Sequence, residues 1–254
     1  MRKKYFFFDI DGTLASGLTM QMPASAVRCV EQLRANGHFV ALATGRLQAS
    51  AAAFAARYGF DQIVGDGGYS LTIDGAVVEM RSLPVEPCIR LIDRLCAQHI
   101  PWAVTVANER VCVTQDERYL PYAPPDYFSV SLDPSFDYRR MTQVYKVYIV
   151  CTPAQQADID CGGLPTVRYN DKVLFIEPTS NQYGIRRMLD RLGAADEDTV
   201  VFGDGTNDLC MFGQGWLSIA MGNACEALKK RADYITTGVD DNGIQNACRH
   251  FGWI

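Results

Sequence analysis

The run Tyr5-Phe6-Phe7-Phe8-Asp9-Ile10-Asp11-Gly12-Thr13-Leu14 constrains this chain more than any other stretch. Four aromatics in a row without a turn residue predict a strand buried on both faces, as in a parallel sheet covered by helices. Asp9 then falls where that strand ends, at the edge where open α/β sheets bind ligands. A core strand followed by an Asp-Gly turn is common in itself. Two aspartates and a glycine directly after such a run are much rarer, and they point to a site.

At 254 residues the chain is long enough for one large domain or two unequal ones. No apolar stretch approaches the roughly 20 residues that span a bilayer. The first strand begins within a few residues of Met1 and leaves no room for a signal peptide, so the cytoplasm is the expected location and no membrane partner is expected. A net charge of -5 and a pI near 5.2 provide no basic footprint for nucleic acid. The nine cysteines are odd in number and form no Cys-x-x-Cys pair, which reads as reduced, buried thiols without a zinc site.

Pro23 opens a helix whose apolar residues Ala26, Val30 and Leu33 recur at helical spacing until Asn36-Gly37. His38 to Ala43 is a second buried strand and stops on Thr44-Gly45-Arg46. A helix through Leu47, Ala51, Phe54 and Tyr58 follows, and then a short strand, Gln62 to Val64, enters Gly65-Asp66-Gly67-Gly68. This rhythm implies βαβ units and a parallel sheet. From Tyr69 to Leu83 the residues alternate around Asp74-Gly75, a hairpin signal.

The block 83–178 is different. It reads as a helix from Pro84 to Gln98, short strands at Trp102–Ala107, Arg110–Thr114, Val144–Cys151 and Lys172–Glu177, a short helix near Ala154–Cys161, and a Pro-, Tyr- and Asp-rich stretch, Tyr119–Tyr138, with no clean period. The earlier rhythm returns at Asn181 with a helix ended by Gly193. A strand from Thr199 to Phe202 then runs into Gly203-Asp204-Gly205-Thr206-Asn207-Asp208, and alternating strands and helices complete the chain. The expected architecture is a Rossmann-like, doubly wound α/β core (1–82 and 179–254) with an inserted α+β cap domain (83–178), hinged near Ser82–Pro84 and Pro178–Ser180.

Three apolar strands therefore end in polar loops that share one sheet edge. Asp9, Asp11, Asp204 and Asp208 brought together there would repel one another and raise each other's pKa, a conflict that a divalent cation resolves. All-oxygen ligands with only a few carboxylates suit Mg²⁺, which takes phosphate oxygens as further partners. A carboxylate held there is a candidate nucleophile for phosphoryl transfer, and a second, two residues on, a candidate acid and base. Gly12 and Thr13 are expected to offer backbone N–H groups to phosphate, and Thr44 a hydroxyl.

Asp9-Ile10-Asp11-Gly12-Thr13-Leu14, Thr44-Gly45-Arg46 and Gly203-Asp204-Gly205-Thr206-Asn207-Asp208 together resemble the haloacid dehalogenase superfamily of phosphatases. The large insert, with Ala220-Met221-Gly222-Asn223-Ala224 and Ala232-Asp233-Tyr234-Ile235-Thr236, resembles its Cof-type branch, which carries a C2B cap. The resemblance implies Asp9 as nucleophile and Asp11 as acid/base. It implies metal ligation by Asp9, the Asp11 backbone carbonyl, Asp204 and Asp208. Thr44, Gly45 and Asn207 would hold the phosphoryl group, and Arg46 would touch it or the substrate.

One departure stands out. Relatives carry a lysine at the start of the re-entering helix, where this chain has Asn181 in Thr179-Ser180-Asn181-Gln182-Tyr183-Gly184, and no lysine lies between Lys172 and Lys229. Lys172 and Arg186 either supply the missing charge or are solvated surface residues. Asp66, where the branch more often has Asn, is a turn residue or a substrate contact. The function expected is a Mg²⁺-dependent phosphatase for a small phosphorylated metabolite, such as a sugar phosphate. Its rivals are a phosphotransferase or mutase of the same chemistry and a catalytically weakened binding or regulatory protein. The oligomeric state is left open.

Overall fold

The computed structural model describes residues 2–17, 21–123 and 128–254. Residues 18–20 of the polar stretch after Leu14, and 124–127 of the Pro- and Tyr-rich stretch, lie outside the described residues. In chain order the elements begin with β1 (Tyr5–Phe8), α1 (Ala24–Ala35), β2 (Phe39–Ala43), α2 (Gln48–Tyr58), β3 (Ile63–Gly65), β4 (Ser70–Ile73) and β5 (Ala76–Met80). The middle holds α3 (Val85–Ala97), β6 (Trp102–Thr105), β7 (Val111–Thr114), β8 (Ser129–Leu132), β9 (Lys146–Val150), α4 (Pro153–Gln156), β10 (Thr166–Asn170) and β11 (Val173–Ile176). The last part is α5 (Asn181–Leu192), β12 (Thr199–Gly203), β13 (Leu217–Ala220), α6 (Glu226–Lys229), β14 (Tyr234–Ile235) and α7 (Gly243–His250).

The chain divides into two compact units, one of 1–46, 51–79 and 180–254, the other of 47–50 and 80–179. The first is built on an eight-stranded sheet of order β14-β13-β12-β1-β2-β3-β4-β5. Pairing is parallel from β14 to β3 and turns antiparallel at β4. The β4–β5 turn places Asp74 at φ 50° and Gly75 at φ 77°, the left-handed pair that a tight hairpin of this twist needs.

β1 is central because every one of its phenylalanines has a core to enter. Phe6 and Phe8 pack with α1, α2 and α7 on one face, while Phe7 packs with α5 and α6 on the other, and all three are fully buried. A strand buried on both faces has to be an interior strand of a covered sheet, as the aromatic run predicts. From β1 the chain winds outward to β2 and β3 in one direction and, on its return, to β12, β13 and β14 in the other. The strand order thus reverses at β1, and the loops after β1, β2 and β12 emerge side by side.

The second unit has a six-stranded sheet of order β10-β11-β9-β6-β7-β8, antiparallel except between β7 and β8. α3 covers one face, seating Cys88, Leu91, Ile92 and Leu95 against Trp102, Val104, Val147, Ile149, Leu174 and Ile176. Two of its strands, β8 and β10, have no counterpart in the sequence reading. Both are edge strands with largely exposed or half-buried residues, and their alternation, Ser-Val-Ser-Leu and Thr-Val-Arg-Tyr-Asn, is too short to stand out from the polar sequence around it. The helix expected over 154–161 is only the single turn α4. No described helix is long and apolar enough to cross a membrane.

Replacing Phe8, which stacks on Phe202 at 4.7 Å between ring centres, by Ala should cost about 3–5 kcal/mol of unfolding free energy by urea denaturation. A loss below about 1 kcal/mol would contradict the central placement of β1.

Candidate active site

Asp9 extends the β1–β12 ladder by one residue, its N–H donating to the Phe202 carbonyl at 3.1 Å, and its side chain is 3% exposed. The chain then folds back on itself. The Ile10 carbonyl accepts the N–H groups of Leu14 and Ala15 at 3.0 and 2.8 Å, and the Gly12 N–H donates to the Ala15 carbonyl at 2.7 Å, with Gly12 at φ 86°. This tightness corrects one expectation. The N–H groups of Gly12 and Thr13 are spent inside the loop, that of Thr13 on the Ile10 carbonyl at 3.3 Å, instead of being offered to phosphate. Both residues act on Asp204. Thr13 Oγ1 donates to Asp204 Oδ1 at 2.9 Å, and a Cβ at Gly12 would stand 2.1 Å from Asp204 Oδ2.

Asp9, Asp204 and Asp208 bring carboxylate oxygens within 4.8 Å of one another. Asp208 is fully buried. Its Oδ2 accepts the N–H groups of Asp204 and Gly205, each at 2.9 Å, while its Oδ1 is enclosed with no hydrogen-bond partner in the protein. Burial, and after it the charges of Asp208, Asp204 and Asp11, raises the Asp9 carboxyl well above the ordinary carboxylate range. Burial first and the Asp204 charge second push Asp208 up to about 7. Asp204 rises to about 6, again chiefly by burial, with the Thr13 hydrogen bond opposing the shift. An orphaned buried oxygen, an all-carboxylate donor set and mutual repulsion are what a hard divalent cation satisfies.

The fourth carboxylate is elsewhere. Arg46 Nε and Nη2 donate to Asp11 Oδ2 and Oδ1 at 2.8 and 2.5 Å, so the Asp11 side chain is forked onto a guanidinium and does not join the cluster. A cation at contact distance outcompetes three carboxylates that repel it.

Thr44, 1% exposed, ends β2. Its N–H donates to Val64 O at 2.9 Å, and its Oγ1 accepts the Arg46 N–H at 3.1 Å, so the hydroxyl proton is available to a ligand. Gly45 stands between them. Asp66 is buried at φ 51° and begins a left-handed turn through Gly67 and Gly68, the turn reading of this residue. That turn connects the other loops: Gly67 N–H donates to Thr44 O at 3.1 Å, Asp66 N–H to Arg46 O at 2.8 Å, and Ser180 N–H to Gly67 O at 2.7 Å. Asn181 therefore starts α5 against this turn. It is 1% exposed, and its Oδ1 is buried without a hydrogen-bond partner in the protein.

Arg186 does not stand in for a lysine here: it pairs with Asp196 Oδ1 and Oδ2 at 2.5 and 2.6 Å and lies over Trp216. Lys172 is exposed in the turn between β10 and β11, in the second unit. Asn207 is half-buried in the 3-10 turn Thr206–Cys210, next to Asp208. Asn223 was not singled out by sequence reasoning as a site residue. Its Nδ2 donates to the Gly12 carbonyl at 2.8 Å and its Oδ1 accepts the Val239 N–H at 2.9 Å, tying the first loop to the last. The signal was its position in a Gly-Asn pair one residue beyond β13.

Carboxyls whose folded pKa is raised bind more protons folded than unfolded between about pH 4 and the raised values. Their contribution to stability is therefore lost as pH rises from about 4 through about 7 in metal-free protein. Added Mg²⁺ should raise the melting temperature more at about pH 7.5 than at about pH 5.5, where protons compete for the same oxygens. An equal rise at both would contradict a cation at these carboxylates.

A sequence profile of haloacid dehalogenase-like hydrolases matches residues 6–248. A Streptococcus pyogenes protein named as a bifunctional phosphatase/peptidyl-prolyl cis-trans isomerase is 30% identical over 99% of this chain, which spans 54% of that protein's length. YkrA of Bacillus subtilis, named as a phosphatase, is 28% identical over 99% of both chains. The solved structure of BT4131, named as a subclass IIB sugar phosphatase, superposes with a TM-score of 0.82 at 24% identity, covering 99% of this chain and all of that one. The chain belongs to the haloacid dehalogenase-like hydrolases, an enzyme family, and has the two-unit architecture of the Cof-type, subclass IIB branch.

Proposed function

We propose that the protein is a Mg²⁺-dependent phosphatase that hydrolyses a small phosphorylated metabolite through an aspartyl-phosphate on Asp9. The observation that carries this reading is the convergence of Asp9, Asp204 and Asp208 at the sheet edge, with Asp208 Oδ1 left unpartnered. Asp204 and Asp208, with one Asp9 oxygen and the Asp11 backbone carbonyl, would hold the cation. When bound, Mg²⁺ neutralises the carboxylates and draws electron density from the phosphoryl oxygens.

The other Asp9 oxygen attacks phosphorus in line with the ester bond. As the ester P–O bond breaks, the leaving oxygen takes a proton from the Asp11 carboxyl. Water then attacks the acyl phosphate, Asp11 takes its proton, and the bond from Asp9 to phosphorus breaks to restore the carboxylate. Thr44 Oγ1, the backbone at Gly45, and the side-chain amides of Asn207 and Asn181 are the neutral donors proposed for the phosphoryl oxygens.

With an amide in place of an ammonium at residue 181, transition-state stabilisation loses one charged donor. By analogy with deletions in other preorganised sites, this slows turnover by about 10²- to 10³-fold without abolishing it. The specific substrate class is proposed as a sugar phosphate or related phosphomonoester; the name of BT4131 supports it through shared architecture. A phosphotransferase or mutase would use the same first half-reaction and pass the phosphoryl group to an acceptor other than water.

The test is Mg²⁺-dependent release of phosphate from an aryl phosphate. Asp9→Asn should lower the rate by about 10⁴-fold or more, as loss of a nucleophile does elsewhere. Equal rates in the two proteins would remove the phosphatase reading, and Asn181→Lys should be faster than wild type.

A further inference from the structure

Arg46 and Lys146 are the two buried cations among the described residues, and Arg46 is the one in the first unit. At 2% exposure a guanidinium requires a partner that repays its desolvation, and a carboxylate gripped by two parallel N–H groups is the strongest available. Arg46 gives that grip to Asp11.

The two partners are unequally held. The Arg46 backbone is pinned on both sides, its N–H on Thr44 Oγ1 at 3.1 Å and its carbonyl on the Asp66 N–H at 2.8 Å. Its guanidinium lies 5.7 Å from the centre of the Phe54 ring. The Asp11 side chain is 26% exposed, against 2% for that of Arg46. The arginine is therefore the fixed member and the aspartate the guided one. A fork also sets the plane of the carboxylate as well as its distance, which a single hydrogen bond does not.

The geometry points to Arg46 as the residue that positions Asp11 for proton transfer to the leaving group, instead of one that binds the phosphoryl group. This rests on Asp11 being the acid and base of the proposed chemistry. In the step concerned, the ester P–O bond breaks, its electron pair stays on the leaving oxygen, and the Asp11 carboxyl delivers the proton that oxygen takes. The need for that proton grows with the basicity of the leaving oxygen. A positioning residue for Asp11 therefore matters for an alkyl ester and little for an activated aryl ester, whereas a phosphoryl-binding residue matters equally for both.

The experiment compares kcat/KM of the full-length, Mg²⁺-supplied protein for ethyl phosphate and for dinitrophenyl phosphate. Arg46→Ala should lose about 10²-fold on ethyl phosphate, the cost typical of a misplaced catalytic group, and less than about tenfold on dinitrophenyl phosphate. Asp11→Asn should show the same selective loss, and the double variant no more than the larger single loss, because the two residues act as a unit. Arg46→Lys keeps the charge but not the fork, so it should lose selectively by a smaller factor; it decides the question if the alanine variant does not fold. A retained kcat/KM for dinitrophenyl phosphate, which is set by attack of Asp9 on phosphorus and not by the later attack of water, itself reports an intact site.

If the arginine variants lose the same factor on both esters while Asp11→Asn loses selectively, Arg46 binds the phosphoryl group. The inference then falls and the proposed chemistry stands. If Asp11→Asn is itself unselective, the role of Asp11 fails and the inference fails with it.

Discussion

Three carboxylates that repel one another in a buried place are the constraint on which this site depends. Such an arrangement raises the free energy of the folded chain, and Asp9, Asp204 and Asp208 can persist there only because the surrounding backbone holds them. The grip is visible. Asp208 is fastened by two N–H groups of its own turn, and Asp204 by Thr13. Asp9 is fastened by the ladder between the two central strands. The interior position of β1 is what makes that last anchor rigid, so the phenylalanine run and the chemistry at its end form one structural argument.

Charge is distributed unevenly around this edge. The two aspartates separated by a single isoleucine face different surroundings: Asp9 shares its space with other carboxylates, and Asp11 lies against Arg46. Environments that differ this much are how two identical side chains acquire different work. The absence of a lysine at Asn181 sharpens the contrast, since it leaves the cluster side of the site to neutral donors and whatever cation binds there.

Much of the fold was legible because the signals were strong and local. The aromatic run, the Asn36-Gly37 and Gly193 helix ends and the Asp74-Gly75 turn each follow from one or two residues whose conformational preferences are narrow. β8 and β10 were not legible because their alternation runs for only four or five half-exposed residues at a sheet edge. In the site, the residue types and their common edge were readable from three strand ends. Hydrogen-bond partners were not. Nothing in Asp-Gly-Thr says that the loop consumes its own N–H groups, and nothing in Thr-Gly-Arg says that the arginine reaches back 35 residues to Asp11. Such pairings depend on distances of a few tenths of an ångström that only the assembled loops define.

The turn at Gly67 and Gly68 completes this picture. A Cβ at Gly68 would stand 2.2 Å from the Ser180 carbonyl oxygen, Arg187 Nη2 donates to the Gly68 carbonyl at 2.6 Å, and Ser180 donates to Gly67. The chain thus leaves the first unit and returns to it at a point where its own turn clamps the returning helix. The clamp uses backbone and a single arginine, all from the first unit. The seat of α5 beside the loops of the site is therefore made by contacts within the first unit, on either side of the hundred or so residues of the excursion.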